Sequence, residues 1–342
     1  MPSIPGVSSY TLGIPVAYLS NPGGGTLTFN TDTGTLTFPS DMLSGLAAQE
    51  GSMTEIIIGP GDKSGLSDAA KAAIGNRSLI EIAITIDGKS VQWNNLNAPV
   101  TVSIPYMPTA DELAYPDSIV IWYLDGSGNP VCIPNGHYDA AAGTVTFTTA
   151  HFSLYAVAYN KISFNDVPPD MWFNTPVSFI AARGITSGTE SGNFSPDAKL
   201  TRGEFIVMLL KAYSIAPDLN LTDNFSDAGN TYYTSYLATA KRLSITAGVG
   251  NNLFAPGKEI TRQEMFTLLC NALEVIGRLP EGTAGKSLSA FSDAGQIASW
   301  AKDAMKLLVE TGTVSGNTGK LYPEGTTTRA EMAQVLYNLL SK

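Results

Sequence analysis

The chain has 342 residues, with 20 Lys and Arg against 30 Asp and Glu, giving a formal net charge of −10. This length accommodates two or three domains with a sizeable core. The acidity, without any basic stripe, argues against nucleic acid and anionic lipid as partners. No apolar run approaches the roughly 18 residues of a membrane span, so we predict no membrane insertion.

The two cysteines, Cys132 and Cys270, lie far apart and show neither metal-ligand spacing nor a disulfide framework. We therefore predict no metal site and no cofactor. The first twenty residues lack a basic start followed by an apolar stretch, so no signal peptide is visible. This predicts either a cytoplasmic protein or a mature fragment without its signal.

Residues 1–160 predict a β-rich module. Segments such as "GTLTF" and "GTVTF" alternate apolar and polar residues, and turn signals such as "NPGGG" and "DGSGN" separate them. We expect eight or nine strands in an all-β, sandwich-like arrangement. Two short helices are predicted to interrupt them, one after Ser40 and one near Ser67. This half shows no catalytic signature, so we predict that the chain is not an enzyme.

Residues 161–342 contain an internal repeat in three units, about 161–220, 221–285 and 286–342. Each unit opens with Phe-any-Asp, then has an aromatic residue, an apolar-periodic stretch and a glycine turn. It ends in Thr-Arg-any-Glu before an apolar run. The Asp-to-Arg spacing is 36, 35 and 36 residues. The pattern predicts a helix-loop-helix unit, with the length variation falling between units.

The motif Thr-Arg-any-Glu predicts a helix start. Thr followed three residues later by Glu is a capping box, in which each side chain binds the backbone amide of the other residue. We assign this structural role to the pairs Thr201 and Glu204, Thr261 and Glu264, and Thr328 and Glu331.

Capping does not account for the arginine, since a cation at the first helical position opposes the helix dipole. One explanation is a salt bridge from Arg202 to an acid such as Asp166. The other is an anion site, formed by the guanidinium together with free helix-start amides and suited to a carboxylate.

The combined pattern resembles the S-layer homology domain, in three tandem copies. The resemblance implies an all-α C-terminal bundle with pseudo-threefold arrangement and ligand grooves between neighbouring repeats. It also implies non-covalent anchoring of a bacterial surface protein to the cell wall, outside the cell. The expected partner is a secondary cell-wall polysaccharide of Gram-positive-type bacteria carrying pyruvylated N-acetylmannosamine, whose ketal supplies a carboxylate.

The resemblance also implies which residues bind the glycan. The arginines would bind the carboxylate, the aspartates would hold sugar hydroxyls or order the groove, the aromatic residues would face the sugar or pack at the bundle entrance, and the glycine turns would admit the ligand. The residues are Arg202, Arg262 and Arg329; Asp166, Asp227 and Asp293; Trp172, Tyr233 and Trp300; and Ser187, Gly188, Gly248, Ser315 and Gly316. The second repeat departs from the pattern at Tyr233 and Ala247. We therefore expect loss of Arg202 or Arg329 to matter more than loss of Arg262.

The β-rich half is similar to modules that precede S-layer homology repeats in bacterial surface proteins. The likeness rests on its ending, a hairpin followed by "HFSLYA". It implies a spacer or display module. Two alternatives stay open. The half could self-associate in a surface-layer lattice, or it could act on polysaccharide as a wall-anchored enzyme.

Overall fold

The computed structural model describes residues 7–46, 49–283 and 285–341. The chain divides into two compact units, Met1–Ile162 and Ser163–Lys342. The described residues form a mixed structure of eight α-helices and two antiparallel sheets. Within these ranges, no helix combines the length and apolarity that a bilayer span requires.

The N-terminal unit consists mainly of antiparallel strands. Its described strands are β1 (Tyr10–Pro15), β2 (Thr26–Asn30), β3 (Thr35–Pro39), β4 (Met53–Pro60), β5 (Leu79–Ile86), β6 (Lys89–Ser90), β7 (Val100–Pro105), β8 (Ile119–Leu124), β9 (Pro130–Ile133), β10 (His137–Asp139), β11 (Thr144–Thr149) and β12 (Leu154–Tyr159). One sheet has the order β1-β4-β5-β12-β8-β9, with β6 paired to β5. The other has the order β10-β11-β7-β3-β2.

The core of this unit takes side chains from both sheets. Successive residues of a strand point to opposite faces. In β3, Leu36 and Phe38 are therefore buried while Thr37 is only half-buried. Ile82 and Ile84 of the other sheet belong to the same apolar cluster. The alternation in the sequence thus decides which side chains the two sheets bury.

Two short helices, α1 (Asp68–Ile74) and α2 (Ala110–Leu113), interrupt the strands. The first begins after Ser67, as expected, and the Ser67 side chain accepts a hydrogen bond from Ala70 N. The second is capped by Thr109 and was not predicted.

The other predicted helix of this half is absent from the described residues. Residues 40–45 form turns, and residues 47–48 lie outside the described residues. The Met42 carbonyl accepts hydrogen bonds from Trp93 Nε1 at 2.7 Å and from Asn95 Nδ2 at 3.1 Å. These distant side chains occupy both lone pairs of the Met42 carbonyl. The carbonyl therefore cannot accept the backbone hydrogen bond from the residue four positions later that an α-helix requires.

Six α-helices lie in the C-terminal unit, two in each repeat. They are α3 (Asn174–Ala182), α4 (Arg202–Ala212), α5 (Thr234–Arg242), α6 (Arg262–Val275), α7 (Lys302–Glu310) and α8 (Arg329–Leu340). A long loop with a glycine turn joins the first helix of each repeat to the second. Apolar side chains from all six helices form one continuous core.

The predicted fold class is wrong. We expected an all-β module followed by an all-α bundle with pseudo-threefold arrangement. The C-terminal unit instead contains short 3-10 helices, long irregular loops and isolated β-bridges besides its α-helices. Three bridges pair the extended segments that lead into the second helices: Lys199 with Thr328, Thr201 with Glu259, and Thr261 with Thr326. The residues before a helix cap are extended, and extended backbone finds its hydrogen bonds by pairing with another segment.

These segments close a ring of three backbone hydrogen bonds. Leu200 N donates to Thr327 O at 2.9 Å, Thr327 N donates to Ile260 O at 3.1 Å, and Ile260 N donates to Leu200 O at 2.9 Å. All three residues are fully buried. The ring joins the first repeat directly to the third and brings the starts of α4, α6 and α8 together.

Candidate functional site

The second helix of every repeat begins with a capping box. In α4, the Thr201 hydroxyl accepts a hydrogen bond from Glu204 N at 3.2 Å, and Glu204 Oε2 accepts one from Thr201 N at 2.9 Å. The same reciprocal bonds join Thr261 with Glu264 and Thr328 with Glu331. Such a cap contributes about 1 kcal/mol.

The first amides of these helices are already hydrogen-bonded. Arg202 N donates to Lys258 O and Gly203 N donates to Pro256 O, both at 2.9 Å. Equivalent bonds run from Arg262 N to Gly325 O, from Gln263 N to Pro323 O, from Arg329 N to Ala198 O and from Ala330 N to Pro196 O. The part of the prediction that relied on free helix-start amides is therefore wrong.

Each motif arginine pairs with the capping glutamate of another repeat. The Nη1–Oε1 distance is 3.0 Å from Arg202 to Glu264 and 3.4 Å from Arg262 to Glu331. From Arg329 to Glu204 it is 3.1 Å. These ion pairs run around the same ring as the backbone bonds. The salt-bridge explanation of the arginine is therefore confirmed, although the acid that pairs with Arg202 is Glu264 and not Asp166.

The guanidinium groups are held on one side by backbone carbonyls, and on the other side one of their nitrogens is left without a partner among the described residues. Nε of Arg202, Arg262 and Arg329 donates to the carbonyls of Phe254, Leu321 and Phe194, at 2.9, 2.8 and 2.8 Å. None of the three Nη2 groups has a hydrogen-bond partner among the described residues, and none is sealed from solvent. Each Nη2 can therefore donate to an incoming ligand.

Burial shifts the pKa of two of the three motif arginines. Arg202 is only 3 % exposed. Burial lowers the pKa of Arg202 and of Arg262, and the charges of Glu264 and Glu331 oppose that shift. The guanidinium stays protonated, since the pKa of arginine starts far above neutral pH. Each site thus keeps a fixed, weakly hydrated cation with a directed donor.

The aspartates of Phe-any-Asp order the loop beneath each arginine. Asp166 accepts hydrogen bonds from Phe194 N and Ser195 N, both at 2.7 Å. Asp227 binds the amides of Phe254 and Ala255, and Asp293 binds those of Leu321 and Tyr322. The same residues, Phe194, Phe254 and Leu321, present their carbonyls to the arginines. These contacts fit the ordering role that we considered for the aspartates.

The glycine of each turn is required by packing. Gly188, Gly248 and Gly316 have φ of 82°, 79° and 67°. A Cβ on Gly316 would lie 2.6 Å from Lys320 O and 2.6 Å from the Phe291 ring. The aromatic residue of Phe-any-Asp therefore packs where a side chain on this glycine would be.

The exposed aromatic residue of the second repeat is Tyr232. Tyr233 immediately precedes α5 and packs under Gly203, as Phe173 immediately precedes α3. Tyr232 is 61 % exposed, close to the 58 % of Trp172 and the 56 % of Trp300. Sequence analysis missed Tyr232. Aligning the pair "YY" with the pair "WF" of the first repeat would have found it.

Two grooves bring these elements together from all three repeats. The Arg262 groove has a volume of about 420 Å³, and its lining includes Trp172, Lys199, Arg262, Ser315, Gly316, Tyr322, Glu331, Gln334 and Asn338. The Arg202 groove has a volume of about 450 Å³, and its lining includes Arg202, Ala247, Gly248, Glu264, Thr267, Asn271 and Trp300. Each groove takes side chains from three repeats. The Arg262 groove has its arginine from the second repeat, its glycine turn and glutamate from the third, and its exposed indole from the first. The Arg202 groove has its arginine from the first repeat, its glycine turn and glutamate from the second, and its exposed indole from the third.

The third motif arginine, Arg329, has neighbours of the same kinds as Arg202 and Arg262. Partial burial and the charge of Glu204 raise the pKa of the Tyr232 phenol, while the charge of Arg329 opposes this shift. Arg329 pairs with Glu204, and the glycine turn of the first repeat holds Ser187 and Gly188. The site residues predicted within one repeat are thus distributed over different grooves.

Three segments of the chain, 163–206, 224–266 and 290–333, match the S-layer homology domain. The chain is similar to an amylopullulanase of Thermoanaerobacterium thermosulfurigenes, 29 % identical over 81 % of this chain and 15 % of the relative. It is also similar to an S-layer protein of Bacillus thuringiensis subsp. finitimus, 30 % identical over 59 % of this chain and 24 % of the relative. A third relative, exoglucanase XynX of Acetivibrio thermocellus, is 30 % identical over 68 % of this chain and 20 % of the relative.

The chain therefore spans no more than a quarter of the length of these relatives. S-layer homology domains are cell-surface anchoring domains, and the relatives include both S-layer proteins and glycosidases. All three matched segments lie in the C-terminal unit, where each covers a Phe-any-Asp and a Thr-Arg-any-Glu motif. Three S-layer homology domains thus lie in the C-terminal unit, and they indicate a place at the cell surface.

Proposed function

We propose that the C-terminal unit anchors the protein non-covalently to the cell wall by binding a secondary cell-wall polysaccharide. The proposed epitope is pyruvylated N-acetylmannosamine, whose ketal carries a carboxylate. One observation carries this proposal. In the Arg262 and Arg202 grooves, a guanidinium, an exposed indole and a glycine turn from three different repeats line one cavity. Both volumes fall in the usual range for small-molecule sites.

The charge of each groove suits one carboxylate. In the Arg262 groove, Arg262 and Lys199 outnumber the single acid Glu331. Glu264, the acid that lines the Arg202 groove, lies 3.0 Å from Arg202 and 3.6 Å from Lys258 Nζ, so two bases again accompany one acid. This local positive excess stands in a chain of net charge −10. The unpaired Nη2 group would give the carboxylate a charge-assisted hydrogen bond, which contributes about 1.5–3 kcal/mol.

The exposed indoles supply the apolar part of the recognition. Trp172 and Trp300 are more than half exposed and line the two grooves. A pyranose ring presents a face of C–H groups, which packs against an aromatic face while its hydroxyls stay hydrated. Carboxylate and sugar are thus recognised by side chains of different repeats.

The grooves differ in completeness, and the difference changes the expected ranking of the arginines. Arg262 shares its groove with Trp172 and with the Ser315–Gly316 turn. Arg202 shares its groove with Trp300 and with the Ala247–Gly248 turn. The ranking expected from the sequence combines the features of single repeats, whereas each groove combines an arginine, a glycine turn and an indole from different repeats. We therefore propose that Arg262 makes the largest contribution to binding.

We infer that the N-terminal unit is a spacer or display module without catalytic activity. Its one buried acid among the described residues, Glu112, is occupied by Arg77, Tyr106 and the amide of Thr109. The match to the amylopullulanase covers 280 residues, which exceeds the 180 residues from 163 to 342 and so extends into this unit. Part of this unit therefore has a counterpart within the 15 % of the amylopullulanase that the match covers.

Cosedimentation tests the proposed anchoring. The full chain should sediment with cell-wall sacculi that retain their polysaccharide and should remain in solution after that polysaccharide is removed by acid. Equal binding to stripped sacculi would show that peptidoglycan is the ligand and would refute the proposal. Hydrolysis of wall glycan by the isolated chain would instead support a wall-anchored enzyme.

A further inference from the structure

Tyr322 gives the Arg262 groove a second exposed aromatic side chain. It is 44 % exposed and lines the same cavity as Trp172 and Arg262. The residues at the equivalent position of the other repeats are Ser195 and Ala255. Both are too small to present a flat apolar face, so this feature is specific to one groove.

The local backbone does not favour a tyrosine here. Tyr322 has φ of 51°, and Ser195 and Ala255 have φ of 60° and 58°. The left-handed conformation therefore belongs to the loop in all three repeats. A bulky side chain adopts it only rarely, and strained positions of this kind gather at ligand-binding sites.

Several contacts hold Tyr322 in place against the groove. Its amide donates to Asp293 Oδ2 at 2.7 Å, and its carbonyl accepts a hydrogen bond from Gly325 N at 3.0 Å. Its hydroxyl lies 3.2 Å from Thr318 Oγ1. The ring is thus positioned before any ligand arrives, which reduces the entropy lost on binding.

We infer that Tyr322 is a specificity-determining contact, whose ring packs on the bound glycan and makes the Arg262 groove the tighter of the two grooves. This inference rests on the proposed glycan binding. Trp172 and Tyr322 come from different repeats and offer two apolar faces to one ligand. The Arg202 groove offers the single face of Trp300.

Fluorine NMR of the full chain labelled with fluorotryptophan can measure ligand binding in the two grooves separately. The chain has four tryptophans, and those in the C-terminal unit are Trp172 and Trp300. Their resonances are assigned by single Trp→Phe substitutions. The probe is a synthetic disaccharide that carries a pyruvate ketal on N-acetylmannosamine. In the unmutated chain, the Trp172 resonance should reach its midpoint at a lower probe concentration than the Trp300 resonance.

The variant Tyr322→Ser introduces the residue that the first repeat already accepts at this position, so the fold should be retained. It should raise the Trp172 midpoint roughly three- to tenfold and leave the Trp300 midpoint unchanged. Tyr322→Phe keeps the ring and should keep most of the affinity. The reciprocal variant Ala255→Tyr should lower the Trp300 midpoint.

The outcomes separate this inference from the proposed function. If the probe shifts Trp172 with the same midpoint in the unmutated chain and in Tyr322→Ser, glycan binding stands and the role of Tyr322 is refuted. A loss in Tyr322→Phe as large as in Tyr322→Ser would refute packing by the ring. If neither resonance responds in the unmutated chain, the proposed function and this inference both fail.

Discussion

Glu204 Oε1 lies 3.1 Å from Arg329 Nη1, although 125 residues separate the two in sequence. Through Oε2, the same carboxylate accepts the amide of Thr201. One side chain therefore caps its own helix and neutralises the cation at the start of another. The capping motif and the arginine, which look like separate features of one repeat, form one network across repeats.

The first prediction concerns this network. Glu204→Ala should lower the free energy of unfolding by roughly 2–4 kcal/mol, because it removes a cap and leaves the buried Arg329 without its counter-ion. Arg329→Ala should cost less, since Glu204 keeps its cap and is partly exposed. Urea denaturation of both single variants and of the double variant measures the coupling energy.

A second pair in the same chain provides the control. The Arg262–Glu331 distance is 3.4 Å, and the Glu331 side chain is 39 % exposed. Solvent weakens such a pair, so its coupling energy should be smaller than that of Arg329 with Glu204. Equal coupling energies would contradict the idea that burial sets the strength of each link.

The second prediction concerns the carboxylate. Arg262→Ala should weaken binding of the pyruvylated disaccharide roughly ten- to a hundredfold, because a charge-assisted hydrogen bond is lost. Arg262→Lys should recover only part of this loss, since lysine lacks the planar fork. Calorimetry with matched glycans, with and without the ketal, checks both points. Equal affinity of the unmutated chain for the two glycans would exclude the carboxylate mechanism.

The third prediction concerns the glycine turn. Gly248→Ala should lower stability by about 2–4 kcal/mol, since the position has φ of 79° and the added carbon would clash with Leu253 O and the Phe225 ring. Gly257→Ala is the matched control, because Gly257 lacks a positive φ and a Cβ there meets no atom within 4 Å. The urea midpoint should fall in the first variant and stay nearly constant in the second.

The fourth prediction concerns acid. Burial raises the pKa of Asp293, but hydrogen bonds from the amides of Leu321 and Tyr322 outweigh it and hold the pKa below its ordinary value. A group with a lowered folded pKa stabilises the fold above its unfolded pKa, and this stabilisation is lost as the pH falls through the folded value. The melting temperature should therefore drop below about pH 4.

Substitution separates Asp293 from the other carboxylates. Asp293→Asn should melt earlier at neutral pH and show a shallower decline with acid, since the titrating group is gone. Asp170 is exposed, and Asp170→Asn should leave the profile unchanged. An acid profile that is the same in Asp293→Asn and the unmutated chain would show that other groups control acid sensitivity.

The fifth prediction concerns the hydrogen-bonded ring. Thr327 is fully buried, and its Oγ1 finds no hydrogen-bond partner among the described residues, where the other repeats have Leu200 and Ile260. Thr327→Val should raise stability by about 1 kcal/mol, because it removes an unsatisfied polar group without changing the shape. Thr313 is also buried, but its hydroxyl lies 3.1 Å from Thr311 Oγ1, so Thr313→Val should destabilise. Thermal melts of the two variants should shift in opposite directions.

The sequence predicted what depends on short spacing. Thr201 and Glu204 are three residues apart, and that spacing alone brings their side chains to each other's amides on a helix. The pairing of Arg202 with Glu264 could not be predicted, because it depends on which segments meet after folding. The ranking of the arginines has the same limit, because the sequence does not show which repeats meet in a groove. Arg262 belongs to the repeat that departs from the pattern, but its groove contains Trp172 of the first repeat and the Ser315–Gly316 turn of the third.

Two errors in the sequence-based predictions can be traced to particular residues. The turns at residues 40–45 look helical from their apolar spacing, yet Trp93 and Asn95 take the Met42 carbonyl that a helix would need. Tyr232 and Tyr233 are chemically alike, so only the start of α5 shows which one faces solvent. In the first case a distant contact decided the outcome, and in the second the position at which the helix starts decided it.

The ring through Leu200, Ile260 and Thr327 also limits how many copies of the repeat can work together. In an open array, units stack on nearest neighbours and any number can be added. Here Leu200 N of the first repeat donates a hydrogen bond to Thr327 O of the third repeat. The first and third repeats are therefore already paired with each other. A chain cut after the second repeat would leave Leu200 N without its acceptor and Arg262 without Glu331. Evolution or engineering can therefore lengthen such an anchor by adding whole triplets, whereas single copies gained or lost would break the closure.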